Sequence, residues 1–128
     1  MEGGAESVTA AQEVEQILIN LKPQLKAVLE GINGIESVYN RIPPENANMP
    51  YVVFYEASNL PTDYYDGKEY HSVIEFVVQM YGTDFDQIDP LASAAAEAMQ
   101  TLGYERTDFR DKMDGSALCK TMQYKTTI

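Results

Sequence analysis

Few side chains in this sequence are able to do chemistry, and their spacing limits what each can do. His71 is the only histidine. An imidazole working as a base or metal ligand needs a carboxylate, thiol or second imidazole beside it, and no motif around His71 supplies one. It reads as a partly exposed residue at a strand start. Asp84, Asp86 and Asp89 alternate like the ligands of a calcium loop. An EF-hand needs glycine at its sixth position and glutamate at its twelfth, and those places hold Asp89 and Ala95. A turn followed by a helix start, with Asp89 as N-cap and Pro90 as first residue, accounts for them better. Asp108, Asp111 and Asp114 recur among Arg106, Arg110 and Lys112, which fits a solvated hairpin tip of mixed charge rather than a catalytic carboxylate pair. Cys119 has Lys120 beside it but no histidine partner, and reads as a small half-buried strand residue. There is no Gly-rich phosphate loop, Gly-x-Ser-x-Gly elbow or His-Glu-x-x-His pattern. The sequence therefore assigns no catalytic, cofactor-binding or metal-binding residue, and neither enzyme activity nor a cofactor is expected.

Composition narrows the field further. The 128 residues carry 20 acidic against 9 basic side chains, a formal charge of -11. Such a chain repels phosphate backbones and anionic membrane surfaces, so specific nucleic-acid binding and a membrane partner are not expected. A single cysteine permits no intrachain disulfide and no thiolate zinc site, which fits a reducing compartment. The first residues show no basic segment followed by an apolar run, so no signal peptide is expected. No stretch approaches the ~18 consecutive apolar residues of a membrane span. Synthesis in the cytoplasm follows, with a loose N-terminus over residues 1–8 and one domain over 9–128.

Several elements must position whatever acts. Thr9 and Gln12 form a capping-box pattern ahead of Val14, Ile17, Leu18, Leu21, Leu25, Val28 and Leu29, whose steps of three and four predict one amphipathic helical face. Pro23 either kinks that helix or restarts it, and Gly31 and Gly34 end it. Ile35–Ile42 and Tyr51–Tyr55 read as strands, with Pro50 at the entry of the second. Ser58–Tyr70 reads as a long connection. His71–Tyr81 is the longest strand, with Ile74, Phe76, Val78 and Met80 on an apolar face and Val73, Glu75, Val77, Gln79 and Tyr81 on a mixed one. A second helix carries Leu91, Ala95, Ala98, Met99 and Leu102, stops at Gly103, and has an alanine-rich flank suited to close approach. Tyr104–Arg110 and Ala117–Thr127 form a closing pair around an Asp114-Gly115 turn. This order predicts an α+β fold: a mostly antiparallel sheet of four to five strands, an N-terminal helix and a second helix packed on it.

What stands out is interface chemistry. Tyr64, Tyr65 and Tyr70 cluster with Asp63, Asp66 and Glu69, with Tyr55 and Tyr81 expected near the ends of that segment. Tyrosine gives a large contact area at small entropic cost. With the mixed second face of the long strand, this reads as an assembly protein whose subunit or partner interface includes Asp63, Tyr64, Tyr65, Asp66, Tyr70 and Tyr81.

Four blocks carry a resemblance. A helix with Leu21, Leu25 and Leu29 precedes Val38-Tyr39-x-x-Ile42-Pro43. Met49-Pro50-Tyr51-Val52-Val53-Phe54 follows a Pro/Asn loop. The long strand Val73–Tyr81 comes next. A helix then ends in Leu102-Gly103-Tyr104, before a closing strand pair that ends in Met122-Gln123-Tyr124. Over residues 14–124 the chain resembles the tail terminator (tail completion) proteins of long-tailed bacteriophages or prophages, although the family's tryptophan is not matched. The resemblance implies a structural virion protein that caps the tail tube as a homohexameric ring at the head–tail junction. Its implied partners are itself, the tail tube protein and the head connector protein, with DNA only passing through an acidic lumen. Other head–tail joining or minor tail proteins share that logic, and a small α+β ligand-binding domain or enzyme belongs to a different class.

Overall fold

The computed structural model describes residues 20–65, 68–115 and 117–128, without the side chains of residues 61–70 and Asp114. Five strands form one sheet: β1 (Ser37–Asn40), β2 (Tyr51–Tyr65), β3 (Lys68–Gly82), β4 (Glu105–Asp114) and β5 (Ala117–Thr127). They lie in the order β1-β2-β3-β5-β4. β1 runs parallel to β2 and every other pairing is antiparallel, so the expected α+β sheet is present. After β1 the chain turns at Arg41, whose φ is 74° and whose N–H donates to the Phe54 carbonyl at 2.8 Å.

Two segments differ from the sequence expectation. Residues 58–65 and 68–70 are not part of a long connection but the outer part of a ribbon in which β2 and β3 pair out to Tyr65↔Lys68. Proline and glycine content argued for a loop there. Register shifts between Glu56 and Ser58, and on either side of Asp63, absorb the irregularity instead, and the Ser58 hydroxyl donates across the ribbon to Glu75 at 3.0 Å. The second difference is the start of the second helix.

That helix, α2, spans Phe85–Thr101, with Asp84 rather than Asp89 as N-cap and Pro90 inside it. The Asp84 carboxylate accepts from the Gln87 N–H at 2.8 Å, and the Gln87 amide oxygen accepts from the Thr83 N–H at 3.0 Å, a reciprocal cap. The earlier start lets Ile88 join Ala92, Ala95 and Met99 on the buried face. Pro90 is exposed in the second turn and gives up only the helix bond its N–H would have made to the carbonyl of residue 86. A Cβ on Gly82 would collide with Ile88, so only glycine lets β3 pass into this turn. The far end closes as a Schellman motif. Gly103 has φ 92°, Tyr104 N–H bonds Met99 O at 3.0 Å, and Gly103 N–H bonds Gln100 O at 2.9 Å.

The first helix, α1, spans Lys22–Glu30 with Pro23 in its first turn and Leu25 and Leu29 buried. Pro23 thus opens this helix rather than kinking it. Thr9, Gln12, Val14, Ile17 and Leu18 lie outside the described residues. Both helices pack on one sheet face, where Val38, Val52, Phe54, Ile74, Phe76, Val78, Met80, Met122 and Tyr124 meet Leu25, Leu29, Ile88, Ala92, Ala95 and Met99.

Tyr104 closes this core, edge-on to Phe76 at 6.0 Å between centroids. Its hydroxyl is buried with no hydrogen-bond partner among the described residues, and burial, helped by the Glu56 charge, pushes its pKa up to about 12. The folded state thus resists ionisation that the unfolded chain undergoes near 10, so stability present below pH 10 is lost as pH rises from there towards 12. Two units correspond to roughly 2–3 kcal/mol. Tyr104→Phe is expected to remove most of that alkaline loss and to leave neutral-pH stability unchanged or higher, because it deletes an unsatisfied polar group. Melting temperatures between pH 8 and 11.5 check both statements.

Candidate functional site

The opposite sheet face carries neither described helix, and its strand register sets out rows of side chains. One row runs Ser37, Tyr51, Tyr81, Cys119, Lys112, and the next runs Tyr39, Val53, Gln79, Thr121, Arg110. At the β1–β2–β3 end the rows are aromatic. Tyr51 stacks on Tyr81 at 4.9 Å and 14°, Tyr39 meets Tyr51 edge-on at 6.0 Å, and the Arg41 guanidinium lies 4.9 Å over the Tyr55 ring. At the β5–β4 end the rows are polar and charged. The face is therefore divided, one half tyrosine and one half polar.

The β2–β3 ribbon is the second feature. β1 pairs with β2 only as far as Phe54, and β5 leaves β3 at Val73↔Thr127, with Ile128 and Ser72 exchanging backbone bonds of 2.8 and 2.9 Å. Beyond Ser72 the two strands continue as Pro61↔Ser72, Asp63↔His71, Tyr64↔Glu69 and Tyr65↔Lys68, with no described strand on either side. Asp63, Tyr64, Tyr65 and Tyr70 fall on this projecting arm, and Asp66 lies outside the described residues. Tyr81 does not join them. Eleven residue steps along β3 separate Tyr70 from Tyr81, roughly 35 Å at about 3.3 Å each. The residues expected to share one interface thus fall on two separate parts of the sheet. His71 is exposed at the base of the arm.

The densest charged cluster was not legible in the sequence. Lys120, buried to 4% exposure, projects to the helix side of β5. Its ammonium bonds Asp111 Oδ1 at 2.6 Å and Asp89 Oδ1 at 2.9 Å, and lies 4.3 Å from the Phe109 ring centroid. Strand alternation sends Cys119 to the other face, 3.5 Å from the Thr121 hydroxyl, so its sequence neighbour Lys120 is not beside the thiol. Asp108 instead pairs with Arg110 at 2.8 Å. The three-residue spacing of Asp108 and Asp111 thus hides two unrelated partners on opposite faces. A groove of about 720 Å³ runs beside Lys120 between α2 and β4, lined by Ala92, Ser93, Ala96, Glu97, Arg106 and Phe109 among others.

The Lys120 cluster acts as a staple. Burial by itself pushes the ammonium pKa down, but hydrogen bonds to Asp111 and Asp89, with their charges, hold it above 10.5. A raised folded pKa means the stabilisation is complete below pH 10.5 and is lost as pH climbs through the folded value. Lys120→Met keeps the apolar stem and is expected to cost about 1–2 kcal/mol at pH 7, because a charged hydrogen bond is worth more than that but both carboxylates are half exposed. The gap between wild type and variant should shrink above pH 10.5 in urea titrations.

No protein-family model and no curated protein sequence matches the chain. Among solved structures it is similar to a chain of the virion of a native gene transfer agent particle. Identity is 15%, the TM-score is 0.54, and the match covers 80% of this chain and 82% of that one. What is shared is the fold. The likeness spans most of both chains.

Proposed function

We propose that this chain is a structural virion protein of a phage or phage-like particle, one that caps the tail tube as a ring at the head–tail junction and joins it to the head connector. The observation that carries this reading is the projecting β2–β3 arm on a sheet whose fold is shared with a virion component. A two-stranded ribbon is marginal in water on its own, so an arm of this length calls for a partner surface. The interface residues are Asp63, Tyr64, Tyr65, Asp66 and Tyr70 on the arm, with Tyr81 on the tyrosine half of the helix-free face. The excess of 20 acidic over 9 basic residues suits a lumen through which DNA passes without sticking.

Light scattering over a concentration series, with negative-stain images of the same samples, tests the ring. A hexamer-sized open ring is the expected species. A chain that stays monomeric, even when purified tail tubes are supplied for it to cap, would overturn the terminator reading and return weight to a minor joining protein.

A further inference from the structure

The sheet ends at β4, which pairs with β5 on one side and with no described strand on the other. Over its 10 residues the outward N–H and C=O groups form a template for another strand. The two ends of this edge differ. A register shift between Arg106 and Asp108 makes Thr107 a bulge, which takes the first part out of regular pairing. From Asp108 onward the ladder is regular, and its helix-side residues Phe109 and Met113 are exposed at 42% and 64%. The Phe109 N–H donates to Asp108 Oδ1 at 2.8 Å, so it points out of the edge rather than towards β5. Asp108 Oδ2 accepts from Arg110 Nε at 2.8 Å. One carboxylate thus covers an outward donor and faces the nearest cation.

The charges of β4 decide which strand fits beside it. Opposite residues in an antiparallel pair share a face, so two copies of β4 related by a twofold axis must be centred on a single residue. Centring on any charged residue of the strand sets that charge against its own copy. Thr107 is the bulge, and Met113 has only one strand residue beyond it. Phe109 remains. About Phe109, positions 107–111 pair with no like charges opposite. Asp108 stands against Arg110 twice, Thr107 against Asp111 twice, and the two Phe109 rings lie side by side. The next residues out, Arg106 and Lys112, project from opposite faces and do not meet. The helices also clear one another. α2 packs across β3, β5 and β4, centred on β5. In a joined sheet the two β5 strands stand three spacings apart, about 14 Å, enough for two helices about 10–12 Å across.

We propose that the β4 strands of two copies pair antiparallel about a twofold axis at Phe109, joining the two five-stranded sheets edge to edge. Asp108 turns from its own Phe109 N–H to Arg110 of the other copy, and the freed N–H donates to the other copy's Phe109 carbonyl. A twofold contact closes at two copies. It is therefore separate from the ring contact proposed above and does not rest on it.

Cysteine trapping in the full chain tests the pairing. The Cα atoms of a hydrogen-bonded antiparallel pair lie about 5.5 Å apart, within disulfide range. Phe109→Cys is expected to give a covalent dimer, and nothing larger, under mild oxidation. Met113→Cys is the control. That site is more exposed but about 27 Å from its counterpart, and should cross-link at least about tenfold more slowly. The native Cys119 is buried. Equal rates at the two sites would mean chance collision and overturn the pairing. Charge reversal reads the register with Phe109 intact. Asp108→Arg and Arg110→Asp should each weaken the dimer at least about tenfold, and the two together should restore it to within about threefold, because opposite charges face each other again. A double variant no tighter than the single ones would overturn the register. Covalent dimers in samples without rings would keep the pairing, whereas rings without covalent dimers would overturn it and leave the ring standing.

Discussion

Phe76→Ala is expected to lower the unfolding free energy by about 3–5 kcal/mol, at the top of the range for a single truncation. Phe76 has no exposed surface and sits mid-way along β3, the central strand. It is flanked in register by Glu56 on β2 and Tyr124 on β5. Its ring lies 6.4 Å from Phe54 and 6.0 Å from Tyr104. Phe54 and Tyr124 are fixed on neighbouring strands and Tyr104 is held by the Schellman turn, so none can swing in to fill the space. A domain with ~5–15 kcal/mol of stability in all would be left marginal. The check is the urea midpoint with the slope unchanged. Phe76→Leu keeps most of the volume and should cost about 1–1.5 kcal/mol. Phe109→Ala, on the open β4 edge, should cost less than either in the isolated chain. A loss of several kcal/mol at Phe109 would mean that β4 is covered in solution.

The parts of this fold that the sequence made legible are those where one local rule had no rival. Ile74, Phe76, Val78 and Met80 alternate without interruption, and all four are buried on the helix face. Gly103 after a run of helical residues ends α2 as the composition implies. The sequence was less legible where two rules competed. Pro90 after Asp89 is a strong helix-start signal, but the Asp84–Gln87 cap and the burial of Ile88 extend the helix beyond it; Asp-x-x-Gln was the available clue. Pro61 and the Asn, Asp and Gly around it pointed to a loop, and backbone pairing with β3 overrode that composition. Lys120 could not have been found from spacing, because Asp89 comes from α2 and Asp111 from a neighbouring strand. Only the sheet register brings them together. For the candidate interface, the residue types were legible and their arrangement was not, since Tyr70 and Tyr81 lie far apart along one 15-residue strand.

That separation shapes the other large expected effect. Replacing Tyr64, Tyr65 and Tyr70 together with alanine is expected to abolish ring formation while leaving the melting temperature of the monomer almost unchanged. Among the described residues, Ile74 is the core member nearest the arm, and little stability is expected to be lost there. Assembly has much to lose, because interface tyrosines commonly account for about 2 kcal/mol each when truncated; even two such residues would weaken association by about a thousandfold. Light scattering gives the association and calorimetry the monomer stability. Unaltered assembly would remove the arm from the interface. A fall of many degrees in melting temperature would mean that these rings pack on their own domain instead. Asp63→Asn with Asp66→Asn separates charge from contact area: if the arm meets a basic surface, this pair should reduce association and flatten its salt dependence. Tyr81→Ala then stands as an independent test of the tyrosine face. It lies too far from the arm tip to share a single contact patch, so the two effects should add, and strong non-additivity would show that a partner bridges both surfaces.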